Sequence, residues 1–212
     1  MNLIHRAINK LRKVVYERIY KPRESAKYRA RLKNKNFSII CNNCFGGMLY
    51  HDLGLKFLSP TVNLYFDMGD YIEFLENLGF YLNCELTNAG SKEEIIGLLN
   101  NKIKLHGVHY SSFDELKQKW EERRHRVNYD NLYIIGAYRD GCTDDLVKRF
   151  CNLPYKNKIF LSHKYVECEN NDCIVIMKNY KRYNEFPGAD KMASCKQRLY
   201  DETFDFVNWL NA

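Results

Sequence analysis

The sequence predicts an α/β domain of the three-layer, Rossmann-like kind, with a mainly parallel sheet and a basic helical arm in front of it. Three observations carry that reading. Short apolar or β-branched runs at 37–41, 61–66, 103–110, 132–138, 158–162 and 173–177 alternate with stretches of helical periodicity, the pattern of a parallel sheet covered on both faces. The chain has 212 residues, 45% of them hydrophobic and only 4 of them Pro, enough for one substantial buried core. Charge is confined: residues 1–36 hold twelve Lys and Arg against Glu17 and Glu24, a local +10 in a chain of formal net charge +7, which leaves the remainder at −3. The expected organisation is an arm over 1–36 and a single α/β domain over 37–212.

In the arm, Ile4, Ala7, Ile8, Leu11, Val14, Val15 and Ile19 recur at three- and four-residue steps, one face of an amphipathic helix that stops near Lys21-Pro22. From there to 36 the chain is charged and reads as a linker or a solvated second helix. The strand at 37–41 is stopped by Asn and Gly, and a helix covers about 48–55. After the run at 61–66, Tyr71, Ile72, Leu75, Leu78, Gly79 and Leu82 make one helical stripe, with Asp70 in its first turn. Ser91 with Glu94, and Ser112 with Glu115, match the capping box and predict two further helices, the longer carrying Phe113, Leu116, Trp120 and Val127. A helix at 144–151 separates two of the later strands. Met192, Leu199, Phe206, Val207 and Leu210 predict a last helix packed on the domain.

The eight Cys stand at 41, 44, 84, 142, 151, 168, 173 and 195, several inside apolar runs, and are read as mostly reduced. Residues 1–20 build no continuous apolar signal segment, and no apolar run approaches the roughly 18 residues needed to span a bilayer. The expected location is the cytoplasm, with the basic arm either touching the anionic inner face of the membrane or docked on the domain. Nucleic acid is not an expected partner, since 37–212 is acidic and shows no basic stripe with interleaved aromatics.

Ligands of parallel sheets sit beyond the carboxyl ends of the strands, and the turn Asn42-Asn43-Cys44-Phe45-Gly46-Gly47 falls there. A thiol near a helix start can ionise near neutral pH, so Cys44 is the candidate nucleophile. Asn43, with neighbouring N–H groups and Asn42, would hold an oxyanion or substrate, and Gly46 and Gly47 would let it approach. His109 and His163 close strand-like runs and are the candidate bases. Asp140 could orient an imidazole or a sugar hydroxyl, and Arg139 could hold a phosphate or carboxylate. The plainer alternatives are turn chemistry at 42–47, Cys44 as packing, and Asp140 or Thr143 as a helix cap. Cys41-x-x-Cys44 as half a metal site or a redox pair is weaker, because no second such pair exists, and no metal is expected.

The segments 37–47 (FSIICNNCFGG), Leu53-Gly54-Leu55 with Ser59-Pro60-Thr61-Val62, 71–75 (YIEFL), Trp120-Glu121 with Arg123-Arg124, Arg139-Asp140-Gly141-Cys142-Thr143 and 153–158 (LPYKNK) resemble the bacterial domain-of-unknown-function family nineteen-nineteen, from about residue 37 to the C-terminus. Its members are often labelled exopolysaccharide-biosynthesis proteins, which implies a role in making or decorating surface polysaccharide. Family members usually carry Trp after the Cys where this chain has Phe45. A Cys-centred α/β site also resembles, in local chemistry only, acetyltransferases of capsule loci. The resulting expectation is a Cys-dependent acyl- or acetyltransferase acting on a glycan precursor, with an acyl-CoA as the possible donor. The alternative is a glycosyltransferase-like or noncatalytic domain binding a nucleotide sugar or glycan through Arg139, Asp140, Tyr65, Phe66 and Tyr110. No Asp-x-Asp motif supports a metal-dependent glycosyltransferase.

Overall fold

A computed structural model describes residues 3–91, 93–177 and 183–212. It is α/β, and the chain divides into two compact units. One takes in Asn36–Gly47 and Phe57–Phe186, the other Met1–Lys35, Met48–Lys56 and Pro187–Ala212. The boundary expected at 36/37 lies beside one of the crossings, but the C-terminal helices group with the arm.

In the first unit, β1 (Ser38–Cys41), β5 (Leu132–Ala137), β6 (Asn157–Ser162) and β7 (Ile174–Ile176) form a four-stranded, wholly parallel sheet in the order β1-β5-β6-β7. Cys41 is opposite Ile135, and Ile135 opposite Ile159. All four residues of β1 and all six of β5 are buried, as expected of strands covered on both faces. Gly136 is where β5 passes under an aromatic: a Cβ there would lie 2.5 Å from the Phe160 ring. Of the helices, α4 (Met68–Glu76) brings the Tyr71 hydroxyl within 3.0 Å of the Ile40 carbonyl and 2.9 Å of that of Ile135, fixing it to both strands. Helix α6 (Phe113–Arg124) starts as its capping box predicts, with the Glu115 N–H donating to Ser112 Oγ, but ends before Val127. Helix α7 (Asp144–Asn152) is capped by Thr143, whose Oγ1 accepts from the Leu146 N–H.

Several expectations are corrected. The run at 61–66 is not a strand: Asn63 takes a left-handed conformation (φ 63°), and only Tyr65 pairs, in an isolated antiparallel bridge to His106. The stripe at 71–82 is two helices, α4 and α5 (Leu78–Asn83), because Asn77 leaves helical geometry at φ −132°, ψ 40°. The Ser91-x-x-Glu94 box opens no helix. Ser91 Oγ accepts from the Glu93 and Glu94 N–H groups, and the chain then runs into β3 (Ile96–Leu99), between β2 (Leu86–Asn88) and β4 (Ile103–His106) in a three-stranded antiparallel sheet. A Ser side chain satisfies a turn as readily as a helix start. The expected strand at 103–110 therefore ends at His106 and belongs to this second sheet.

The other unit is helical in its described elements. Helix α1 (Leu3–Val15) does not stop at Pro22 but continues through a π-helical turn, Tyr16–Tyr20, into α2 (Lys21–Arg31). Pro22 follows directly on the π-helical turn, where the regular i→i−4 ladder is already interrupted, so its missing N–H costs little there. Leu11 is 65% exposed, whereas Tyr16, Ser25 and Leu32 are buried; Ile4 and Ala7 of the expected stripe have side chains outside the described set. Helix α3 (Phe45–Leu53) begins in the sheet-containing unit and contributes its residues from Met48 onwards to this one. The expected single C-terminal helix is two short ones, α8 (Leu199–Thr203) and α9 (Phe206–Leu210), the second capped by Asp205. Arg198, 1% exposed, donates from Nε to Asp201 Oδ2 (2.6 Å) and from Nη2 to Asp52 Oδ2 (2.5 Å), so two buried carboxylates share one guanidinium.

Candidate functional site

The carboxyl ends of β1 and β5 lie side by side, and the turns leaving the two strands form a rim. Asn42 extends the ladder, its N–H donating to the Ile135 carbonyl (3.3 Å) and its Nδ2 to that of Ala137 (3.4 Å), while its own carbonyl accepts from the Phe66 N–H (3.0 Å). Asn43 Oδ1 accepts from the Phe45 N–H at 2.9 Å and from the Cys41 thiol at 3.6 Å, an Asx turn that opens α3. Both Asn side chains are buried and committed to the fold. A Cβ on Gly46 would meet Cys41 Cβ at 3.0 Å, and one on Gly47 would meet Val62 Cγ1 at 2.9 Å. These glycines let the helix start pack closely on its neighbours.

Cys44 is half-buried, with Sγ 3.6 Å from the Leu64 carbonyl. Burial pushes its thiol up to about 11, Arg139 opposing and Asp140 adding to the rise. A thiol in that state is protonated at neutral pH and needs a base beside it. Neither candidate is hydrogen-bonded to it among the described residues. His109 is exposed in the turn after β4. His163 comes after β6, which β5 separates from β1, two strand spacings or about 10 Å across the sheet. Its ring packs edge-on against Tyr138, centroids 4.8 Å apart, its Nδ1 has no partner among the described residues, and burial, helped by the Lys164 charge, lowers its pKa. Phe66, 0% exposed, packs with Tyr71 and Phe74 in the core, and Tyr110 is buried with its hydroxyl donating to the Val62 carbonyl (2.7 Å) and accepting from Arg123 (3.0 Å). Neither is available to a ligand.

Arg139 and Asp140 do reach the rim. They form a two-bond pair, Nε to Oδ2 at 2.7 Å and Nη2 to Oδ1 at 3.2 Å, on a turn in which Asp140 has φ 53° and Gly141 φ 75°. The Met68 N–H donates to the Asp140 carbonyl (2.8 Å) and holds that turn against the start of α4. A left-handed non-glycine held by its surroundings is a feature of ligand-binding turns as well as of tight connections.

Beside this pair is a cluster that the reading of the sequence did not assemble. The rings of Tyr65 and His106 stack, 4.3 Å between centroids and 8° between planes, over a reciprocal backbone bridge, and His106 Nε2 is 3.4 Å from Asp67 Oδ2. Tyr65 is half-exposed and Asp67 exposed. Burial first, then Asp67 and Asp140, raise the Tyr65 hydroxyl, so both carboxylates act on it across the rim. The signal was present in alternation: Leu64, Phe66 and Met68 are buried, which turns Tyr65 and Asp67 outward, as Ile103 and Leu105 do for His106. Among the described residues, no group of His, Cys, Asp or Glu is arranged to hold a metal ion.

Over residues 15–211 the sequence matches the family described as a domain of unknown function, DUF1919. The chain belongs to that family. The DUF1919 match takes in α2 and both C-terminal helices as well as the two sheets, so the second unit lies within the family's extent from residue 15 onwards, and α1 up to residue 14 lies outside it. A protein of Haemophilus influenzae, described as uncharacterized, is 32% identical over 182 residues, covering 85% of this chain and 87% of its own.

Proposed function

We propose that the rim beyond β1 and β5 is a noncovalent binding site for a polyhydroxylated ligand, a glycan or the sugar part of a nucleotide sugar. The observation that carries this is the half-exposed Tyr65, stacked on His106, with the carboxylates of Asp67 and Asp140 close to it. An aromatic ring offers its face to the C–H face of a sugar, and carboxylates accept from the hydroxyls at its edge. Arg139, tied to Asp140, orients that carboxylate and offers the guanidinium edge to a phosphate. Acyl transfer through Cys44 is the less supported reading, because burial raises its thiol and neither imidazole is hydrogen-bonded to it among the described residues. The test is an amide-resolved NMR titration with neutral monosaccharides and nucleoside diphosphate sugars. Shifts at Cys44, Tyr65, Asp67, His106 and Asp140, weakened in Arg139→Ala, are the expected result; shifts confined to other surfaces count against it.

We also propose that α1 rests on an anionic bilayer surface. Leu11, Ile8 and Val14 are exposed large apolar side chains, and Lys10 and Arg12 are exposed beside them. No described helix is long and apolar enough to cross a membrane. Binding to vesicles containing phosphatidylserine that weakens with salt is expected, lost in Leu11→Asp; binding unchanged by that substitution refutes it.

A further inference from the structure

Three thiols meet at the end of the parallel sheet opposite the rim. Cys151 is in the last turn of α7, Cys168 in the connection after β6, and Cys173 in the 3-10 turn Asn171–Cys173 that leads into β7. Cys168 Sγ lies 3.3 Å from Cys151 Sγ, and Cys173 Sγ lies 3.6 Å from it, so Cys151 is the shared neighbour. Cys151 and Cys173 are buried, Cys168 is half-exposed, and all three are free thiols. Asn170 Nδ2 donates to Asn152 Oδ1 at 3.0 Å and pins the connection to the end of the helix. Closing from 3.3 Å to the roughly 2.0 Å of a disulfide asks for a small side-chain movement.

We propose that Cys151 and Cys168 form a dithiol site that is oxidised to an intramolecular disulfide by exchange with a low-molecular-weight disulfide, with Cys173 receiving the proton of Cys151. The accessible Cys168 thiolate attacks one sulfur of the small disulfide, whose S–S bond breaks and releases one small thiolate, leaving a mixed disulfide on Cys168. Cys151 Sγ then attacks Cys168 Sγ, its proton passing to the Cys173 thiolate and from there to the second small thiolate as that leaves, so that Cys173 ends as it began. Two protein thiols are oxidised, one small disulfide is reduced to two thiols, and the two protons released end on those thiols. The arrangement suits these roles. The hydrogen bond it shares with Cys151 lowers the Cys173 thiol, with help from the Lys158 ammonium and against burial, while that bond and burial raise the thiol of Cys151. Cys151 therefore needs an acceptor for its proton, and one is in contact.

The test incubates the native protein with oxidised glutathione at neutral pH, traps free thiols by alkylation, and maps the unreduced peptides by mass spectrometry. The wild-type chain is expected to show the peptide of Cys151 joined to that of Cys168. Cys173→Ser should form the same link more slowly, with the deficit closing at alkaline pH where Cys151 ionises unaided, and Cys151→Ser should stop at a glutathione adduct on Cys168. Absence of the 151–168 link in the wild-type chain, which requires no variant to fold, overturns the proposal. So does a Cys173→Ser rate equal to wild type at every pH.

Discussion

His163 is buried against Tyr138, and its imidazole is easier to protonate in the unfolded chain than in the folded one. Its contribution to stability is present above the unfolded value of 6.5 and lost as the pH falls through the lower folded value. Urea midpoints measured across that interval should fall in the wild type and fall less in His163→Gln; parallel profiles would show that the ring is not the group responsible. At Gly136 the constraint is steric. Gly136→Ala places a Cβ 2.5 Å from the Phe160 ring in a fully buried layer, and a loss of about 1–3 kcal/mol by denaturant unfolding is expected. Cys44 was legible in the sequence as a residue near a helix start, but its ionisation was not. The helix dipole argued for a reactive thiol, and the burial that overrides it depends on what packs over the sulfur from residues far along the chain.

At the scale of elements, the parts written in local pattern are the parts the sequence showed. Strand β5 is a continuous buried apolar run, α7 has its Thr143 cap, and α6 its Ser112 box, and each falls within a few residues of where periodicity places it. What stayed hidden was decided by pairing. Residues 96–99 and 103–106 read as parts of a helix and of a parallel strand until their antiparallel partners are known. Tyr65 and His106 become a platform only because an isolated bridge joins segments some forty positions apart. The helical elements around Arg198 make the same point energetically. Removing that guanidinium leaves Asp52 and Asp201 buried without it, so Arg198→Met should cost about 3–5 kcal/mol in chemical denaturation, and a neutral outcome would mean that the carboxylates relax to solvent.

For the molecule as a whole, the +10 arm suggested an extension apart from the domain, yet its second half, α2, is grouped with α8 and α9 and lies within the DUF1919 match. Charge composition shows where basic residues are in the chain and not what their helix packs against. The parallel sheet brings Cys44 and the Arg139-Asp140 turn to one edge as the fold class implies, and places His163 two strands away, while His109 falls in the turn after β4. Recognition through Tyr65, and not covalent chemistry through Cys44, is therefore the central claim. Titration calorimetry with one sugar ligand on three proteins tests it most directly. Tyr65→Ala is predicted to weaken binding about tenfold while Cys44→Ala binds as the wild type does. Loss of binding or turnover in Cys44→Ala, with Tyr65→Ala unaffected, would contradict it.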